Sequence, residues 1–125
     1  MQYEDLTQKI IGCAYRVYDI MGFGYLESVY EKCLLIELRK IGLKVESQKP
    51  IIVHYLNQIV GNYIADIVVE NKIIIELKSV KNIVKAHEVQ LVNYLTATGL
   101  EVGLIINFAE SKVEVKRKVR ELTKE

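Results

Sequence analysis

The chain has 125 residues, half of them hydrophobic and 26% charged, with a formal net charge of +1. That length fits one domain over residues 1–125, and that apolar content supplies a core, which excludes a chain disordered by composition. The near-neutral balance excludes a polynucleotide binder working through a global basic excess, so any contact with nucleic acid must come from a local patch.

Residues from Tyr3 to Ile20 are predicted to be helical, because Leu6, Ile10, Cys13, Val17 and Ile20 recur at helical spacing as one apolar stripe. Met21-Gly22-Phe23-Gly24 breaks this helix. A second helix is expected from Tyr25 or Leu26 to Lys40, ending at Gly42, with Leu26, Val29, Tyr30, Cys33, Leu34, Leu38 and Ile41 on its buried side. Glu27 falls at the edge of that stripe, between Leu34 and Leu38, and Glu37 lies deeper within it. A glutamate in the first turn also favours the positive end of a helix, which is a purely structural role. Cys13 and Cys33 sit in apolar helical patterns, so they read as buried free thiols, and their spacing fits no zinc motif.

Leu43–Tyr55 contains the single proline, Pro50, and reads as a strand with Pro50 at its entry, ahead of Ile51-Ile52-Val53. Leu56-Asn57-Gln58 makes a turn, and Ile59–Val69 a second strand in which Gly61 marks a bulge or a close approach. The segment Ile64–Lys78 organises the rest. Its β-branched runs are broken by Glu70-Asn71-Lys72, which reads as a hairpin. Polar residues interrupt the apolar runs: Asp66 in the first strand, and Glu76 and Lys78 on one face of the second. The loop length decides whether they meet. A three-residue loop pairs Val69 with Ile73 and puts Asp66 opposite Glu76, whereas a two-residue loop would put it opposite Ile or Leu. Asn71 tolerates the left-handed conformation that the longer loop requires. Two carboxylates ~4 Å apart repel by about 4 kcal/mol at an effective dielectric of 20 and about 1 kcal/mol in bulk water. A divalent cation would reverse the sign of that interaction; without one, the pattern describes a hairpin with a wet outer face.

Ser79–Ile83 reads as a loop. A third helix is predicted from Val84 to Thr98, with Gly99 closing it and His87, Gln90 and Tyr94 on one side. Val102–Phe108 is a buried strand, and a crossover of this length implies parallel pairing with the strand before the helix. Ser111 and Glu114 have capping-box spacing for a last helix carrying Lys112, Lys116, Arg117, Lys118 and Arg120. The order α-α-β-β-β-α-β-α gives an α/β fold with a mixed sheet and helices on both faces. No apolar run is long enough for a membrane helix and no signal-peptide pattern opens the chain, so a cytoplasmic protein with no membrane partner is expected.

This order, with Asp66 and Glu76-Leu77-Lys78 on adjacent strands, resembles the PD-(D/E)xK nuclease superfamily, and within it the GxxExxY family. The name-giving motif is matched by Gly24-Tyr25-Leu26-Glu27-Ser28-Val29-Tyr30. Gln90-Leu91-Val92-Asn93-Tyr94-Leu95 and Gly103-Leu104-Ile105-Ile106-Asn107-Phe108 are also similar to that family. Ala65 stands where the superfamily usually has a proline before the aspartate. The resemblance implies a restriction-endonuclease-like αβββαβ core. It further implies Mg²⁺, or Mn²⁺ in its place, held by Asp66, Glu76, Glu27 and the backbone carbonyl of Leu77. Lys78 would position the attacking water and Gln90 would support the lysine or the substrate, so the catalytic set is Asp66, Glu76, Lys78 and Gln90. The implied partner is nucleic acid, DNA foremost, and a homodimer is expected. A non-catalytic nucleic-acid-binding or protein-interaction module retaining the fold is the alternative; a structural oligomer would bind neither metal nor polynucleotide.

Overall fold

The computed structural model describes residues 3–120. Two helices, α1 (Glu4–Met21) and α2 (Glu27–Lys40), precede three strands, β1 (Val45–Tyr55), β2 (Gln58–Val69) and β3 (Ile73–Lys78). Then come α3 (Lys85–Thr98), β4 (Val102–Phe108) and β5 (Val113–Val119). The five strands form one sheet in the order β1-β2-β3-β4-β5, so β1 and β5 lie outermost. All neighbours are antiparallel except β3 and β4, which run parallel, and α3 is the crossover between them. The α/β class and the mixed sheet agree with the sequence reading.

Helices cover both faces. On one, Ile67, Ile73, Ile75, Leu104 and Ile106 pack with α1 and α2 through Ile10, Cys13, Val17, Tyr30, Leu34 and Leu38. On the other, Ala65, Val68, Ile74 and Ile105 pack with Leu91 and Leu95 of α3. Burial on both faces explains why β3 opens as an unbroken isoleucine run instead of alternating. Both cysteines are free thiols, Cys13 buried and Cys33 partly so. The apolar stripes run out at the helix ends: Ile20, Leu26 and Ile41 are exposed, and α2 buries Glu31 and Leu35 instead. Glu37, deep in the α2 stripe, pairs with Arg16 of α1 at 3.2 Å.

Two elements depart from expectation. Pro50 lies inside β1, which already begins at Val45, and not at the strand's entry. An outermost strand tolerates it, because its missing N–H can fall on the side that has no partner. The larger departure is the last element. Residues Val113–Val119 are a strand, not a helix, and Ser111 lies in the bend before it. Val113 and Val115 point into the α1–α2 core at a period of two. Pairing along the whole of β4, from Val102↔Val119 to Phe108↔Val113, satisfies a backbone that a helix would have left open. The Ser111–Glu114 spacing is real, but Glu114 bonds elsewhere, as described below.

The approach of α3 to the sheet depends on Gly103. A Cβ built there would lie 2.7 Å from Leu91 Cδ1 and 2.9 Å from its Cγ. Gly103→Ala should therefore lift α3 from β4 and lower stability by about 1–3 kcal/mol, read as an earlier midpoint in urea unfolding.

Candidate active site

The β2–β3 turn sets the site's register. Val69 pairs with Ile73 across the three-residue loop, and Lys72 N–H donates to Val69 O at 2.9 Å. Glu70 joins Asn71 in positive φ, at 54° and 53°. Two bonds to Lys44 hold it there: Glu70 N–H to Lys44 O at 2.8 Å, and Lys44 N–H to Glu70 Oε2 at 2.7 Å. The ladder continues through Val68↔Ile74 to Ile67↔Ile75 and stops. At the next position the strands part, and two carboxylates take over. Asp66 N–H donates to Glu76 Oε2 at 3.1 Å, and Leu77 N–H donates to Asp66 Oδ2 at 2.8 Å. Each acid thus satisfies a backbone donor next to the other, and the three-residue loop brings the pair together as the sequence predicts.

Glu76 is 8% exposed. Burial, then the charge of Asp66, pushes its carboxyl up to about 8, against the bond from Asp66 N–H and the nearby Lys78 ammonium. Asp66 is also raised, by burial first; the Leu77 N–H, the Gln48 amide and Lys78 oppose that rise. Lys78 therefore acts on both acids. Tyr94 of α3 borders the same pair: its phenol is raised by burial and, after that, by the charge of Glu76.

Glu27 arrives from the opposite side of the sheet's end. Gly24 at φ 109° turns the chain into α2, and the Tyr30 hydroxyl pins the turn by donating to Gly22 O at 2.6 Å and accepting from Tyr25 N–H at 3.4 Å. Tyr30 is itself fixed by stacking on Phe108, with centroids 4.1 Å apart and planes within 4°. The spacing from Gly24 to Tyr30 thus presents Glu27 as the first residue of α2. Its Oε2 accepts from Ser79 N–H at 3.2 Å, one residue beyond Lys78, and its charge reaches Asp66. Among the described residues no three acidic, histidine or cysteine side chains stand close enough together to hold an ion.

Gln90 is exposed on α3 and lines a groove of about 810 Å³ between α3 and the β1–β2 hairpin, with His54, Tyr63, Lys85 and Asn93. Tyr94 also lines this groove, and its ring meets that of Tyr63 at 5.6 Å; Asp66, Glu76 and Lys78 do not line it, so Gln90 opens onto a different surface from the carboxylate pair.

Several residues of this region escape the sequence reading. Glu31 lies buried one turn beyond Glu27, accepts from Ser47 Oγ at 2.9 Å and Gln48 Nε2 at 2.8 Å, and adds its charge to that facing Glu76. Its i, i+4 spacing from Glu27 is the available signal. Gln48 has none. Asn107, fully buried, pairs with Lys78 in the β3–β4 register and binds both Val80 N–H and Val80 O at 2.9 Å. Glu114 of β5 accepts from Asn107 Nδ2 and from Ile83 N–H, so this strand's carboxylate fixes the loop that follows Lys78.

The chain matches the family model of the PD-(D/E)XK nuclease superfamily over residues 4–118. The chain belongs to that superfamily. No curated protein matches it. A solved structure described as "Crystal structure of SSO0001" is similar in fold, with a TM-score of 0.60 at 19% identity over 98% of this chain. This chain spans 62% of that protein's length. PD-(D/E)XK nucleases generally use divalent metals and bind nucleic acid. No helix among the described residues is long and apolar enough to cross a membrane.

The residues fit such an ion. Asp66 and Glu76 are hard oxygen donors, and each spends one oxygen on a backbone N–H. Their mutual repulsion is the feature a cation reverses, and Mg²⁺ commonly takes only one or two carboxylates and keeps several waters. Glu27 stands one hydrogen bond from the end of β3. Glu27→Ala should weaken Mg²⁺ binding about 10-fold in a calorimetric titration while the unfolding midpoint without metal stays near that of the wild type. A variant that binds Mg²⁺ like the wild type would make Glu27 a cap on Ser79 and nothing more.

Proposed function

We propose that this chain is a Mg²⁺-dependent nuclease of the GxxExxY family that hydrolyses phosphodiester bonds of DNA. The observation that carries the reading is the meeting of Asp66 and Glu76 where the β2–β3 ladder ends, with Lys78 acting on both. Asp66, Glu76 and the Leu77 carbonyl would hold the ion, Mn²⁺ would substitute for it, and Glu27, which stands apart from the pair in the metal-free protein, would have to leave Ser79 and close on the cation to join them. When bound, the ion neutralises charge on the phosphate and makes a water more acidic. Lys78 orients that water and stabilises the charge that builds on the phosphorus oxygens as the P–O bond breaks. Gln90 lies on the groove beside Tyr94, where it would contact the strand leading away from the scissile phosphate. The exposed apolar side chains Tyr55, Leu56, Ile59, Val60 and Ile64 of the β1–β2 hairpin offer a second copy a surface, which supports a homodimer.

The test is a cleavage screen on linear, single-stranded and branched DNA and on RNA, with Mg²⁺, Mn²⁺ or EDTA, beside a calorimetric metal titration. Metal-dependent cleavage of DNA is expected. Polynucleotide binding with neither metal binding nor cleavage would put a non-catalytic binding module in its place.

A further inference from the structure

Gln48 sits in the middle of β1 with φ at 54°, a left-handed backbone that disfavours any residue but glycine. The pairing on either side is undisturbed, Ser47 with Ile67 and Lys49 with Ala65, so no inserted residue accounts for the distortion. It falls at the one position where β1 passes opposite Asp66.

The distortion has a consequence for direction. Neighbouring residues of a strand point to opposite faces. Here Ser47 Oγ and Gln48 Nε2 reach the two oxygens of the same carboxylate, Glu31 Oε2 at 2.9 Å and Glu31 Oε1 at 2.8 Å. The β1–β2 register puts Gln48 opposite Asp66, and its amide favours the ionised Asp66 carboxylate, as a donated hydrogen bond does. An amide nitrogen has two hydrogens. One is held by Glu31, a buried residue, which leaves the second for the Asp66 carboxylate on the neighbouring strand. Glu31 thus anchors Gln48 at the strand position opposite Asp66.

We infer that Gln48 is a positioning residue: its left-handed backbone turns the amide between Glu31 and Asp66 and sets the direction in which Asp66 presents its carboxylate to a bound cation. This rests on the proposed metal-dependent reading only for its use, not for the positioning itself. Replacing it should cost function through the lost amide, and a glycine, which adopts this backbone freely, should cost less stability than an alanine.

Two variants and two readouts test it. Gln48→Gly relieves the backbone and deletes the amide; Gln48→Ala deletes the amide and keeps the backbone cost. In metal-free protein, the amide resonance of Leu77, whose N–H donates to Asp66, should shift in both variants. The thermal midpoint of Gln48→Gly should stand above that of Gln48→Ala, because both lose the bond to buried Glu31 and only the glycine relieves the backbone. Both variants should bind Mg²⁺ about 10- to 100-fold more weakly in calorimetry, the loss typical when a partner of a ligand is removed. An unshifted Leu77 resonance overturns the inference, as does a Gln48→Gly protein less stable than Gln48→Ala. Wild-type affinity for Mg²⁺ in both variants overturns it too. If the wild type binds no divalent ion, the nuclease reading fails, while the Leu77 resonance and the order of midpoints still decide the positioning role.

Discussion

Glu76→Gln should make the metal-free protein more stable at pH 9 and should abolish its response to Mg²⁺. Burial and the neighbouring Asp66 raise the Glu76 carboxyl from its usual value near 4.5 to about 8. Between those values the folded chain holds a proton that the unfolded chain releases. That group's contribution to stability therefore falls as pH rises from about 4.5 to 8, and the full penalty of a buried charge is present above 8. A tenfold change in proton affinity is worth about 1.4 kcal/mol, so the penalty reaches a few kcal/mol. Glutamine carries no charge, and its side-chain oxygen can still accept from Asp66 N–H. The difference between variant and wild type should open above pH 5 and level off beyond pH 8. Urea unfolding in EDTA at pH 5, 7 and 9 reads it directly. Millimolar Mg²⁺ should raise the midpoint of the wild type at pH 9 and leave the variant unmoved, since binding to the native state stabilises by mass action. A variant less stable than wild type at pH 9 in EDTA would mean that the packing around Glu76 outweighs its charge.

Lys78→Met should leave metal binding intact and reduce cleavage by about 10²–10⁴-fold. Lys78 lies on the Glu76 face at the end of β3, partly buried, and its ammonium lowers the carboxyl of both Asp66 and Glu76. Methionine keeps much of the stem's volume. The lost cation repels a metal ion, so Mg²⁺ affinity should hold or rise, while water orientation and charge stabilisation disappear together. Calorimetry and a cleavage time course on the two proteins side by side separate these effects. Equal rates would remove Lys78 from the chemistry; a loss of metal binding in step with the rate would show that it supports the site's structure instead.

The parts of the fold that are legible in the sequence are those with local rules. The β2–β3 register follows from one loop length and the tolerance of Asn71 for positive φ. Glu27 follows from its motif, whose physical content is Tyr30 pinning Gly22 and Tyr25. The last strand reads as a helix because a capping pair and a basic run outweigh three valines at odd positions, Val113, Val115 and Val119; the decisive fact, the unpaired side of β4, is not local. Gln48 is invisible for a related reason. A strand residue in left-handed backbone leaves no pattern, because the tertiary partner that holds it, Glu31, lies 17 residues away. Glu31 stands four residues after Glu27, but helical spacing alone does not distinguish a buried acid from a solvated one.

The outermost strands decide how the molecule can meet its copies. A sheet edge with open N–H and C=O groups invites another strand, the route to aggregation. On one side, β5 displays Lys116, Arg117 and Lys118 in succession, with Lys118 tied to Glu88 of α3 at 3.1 Å. On the other, β1 carries Pro50, which has no N–H to give, and the distorted Gln48, and its pairing slips by one residue where β2 inserts Val60 opposite Val53 and His54. Such features make both edges poorer templates for strand addition. The basic run of β5 therefore counts against a further strand on that side of the sheet, whatever else it contacts.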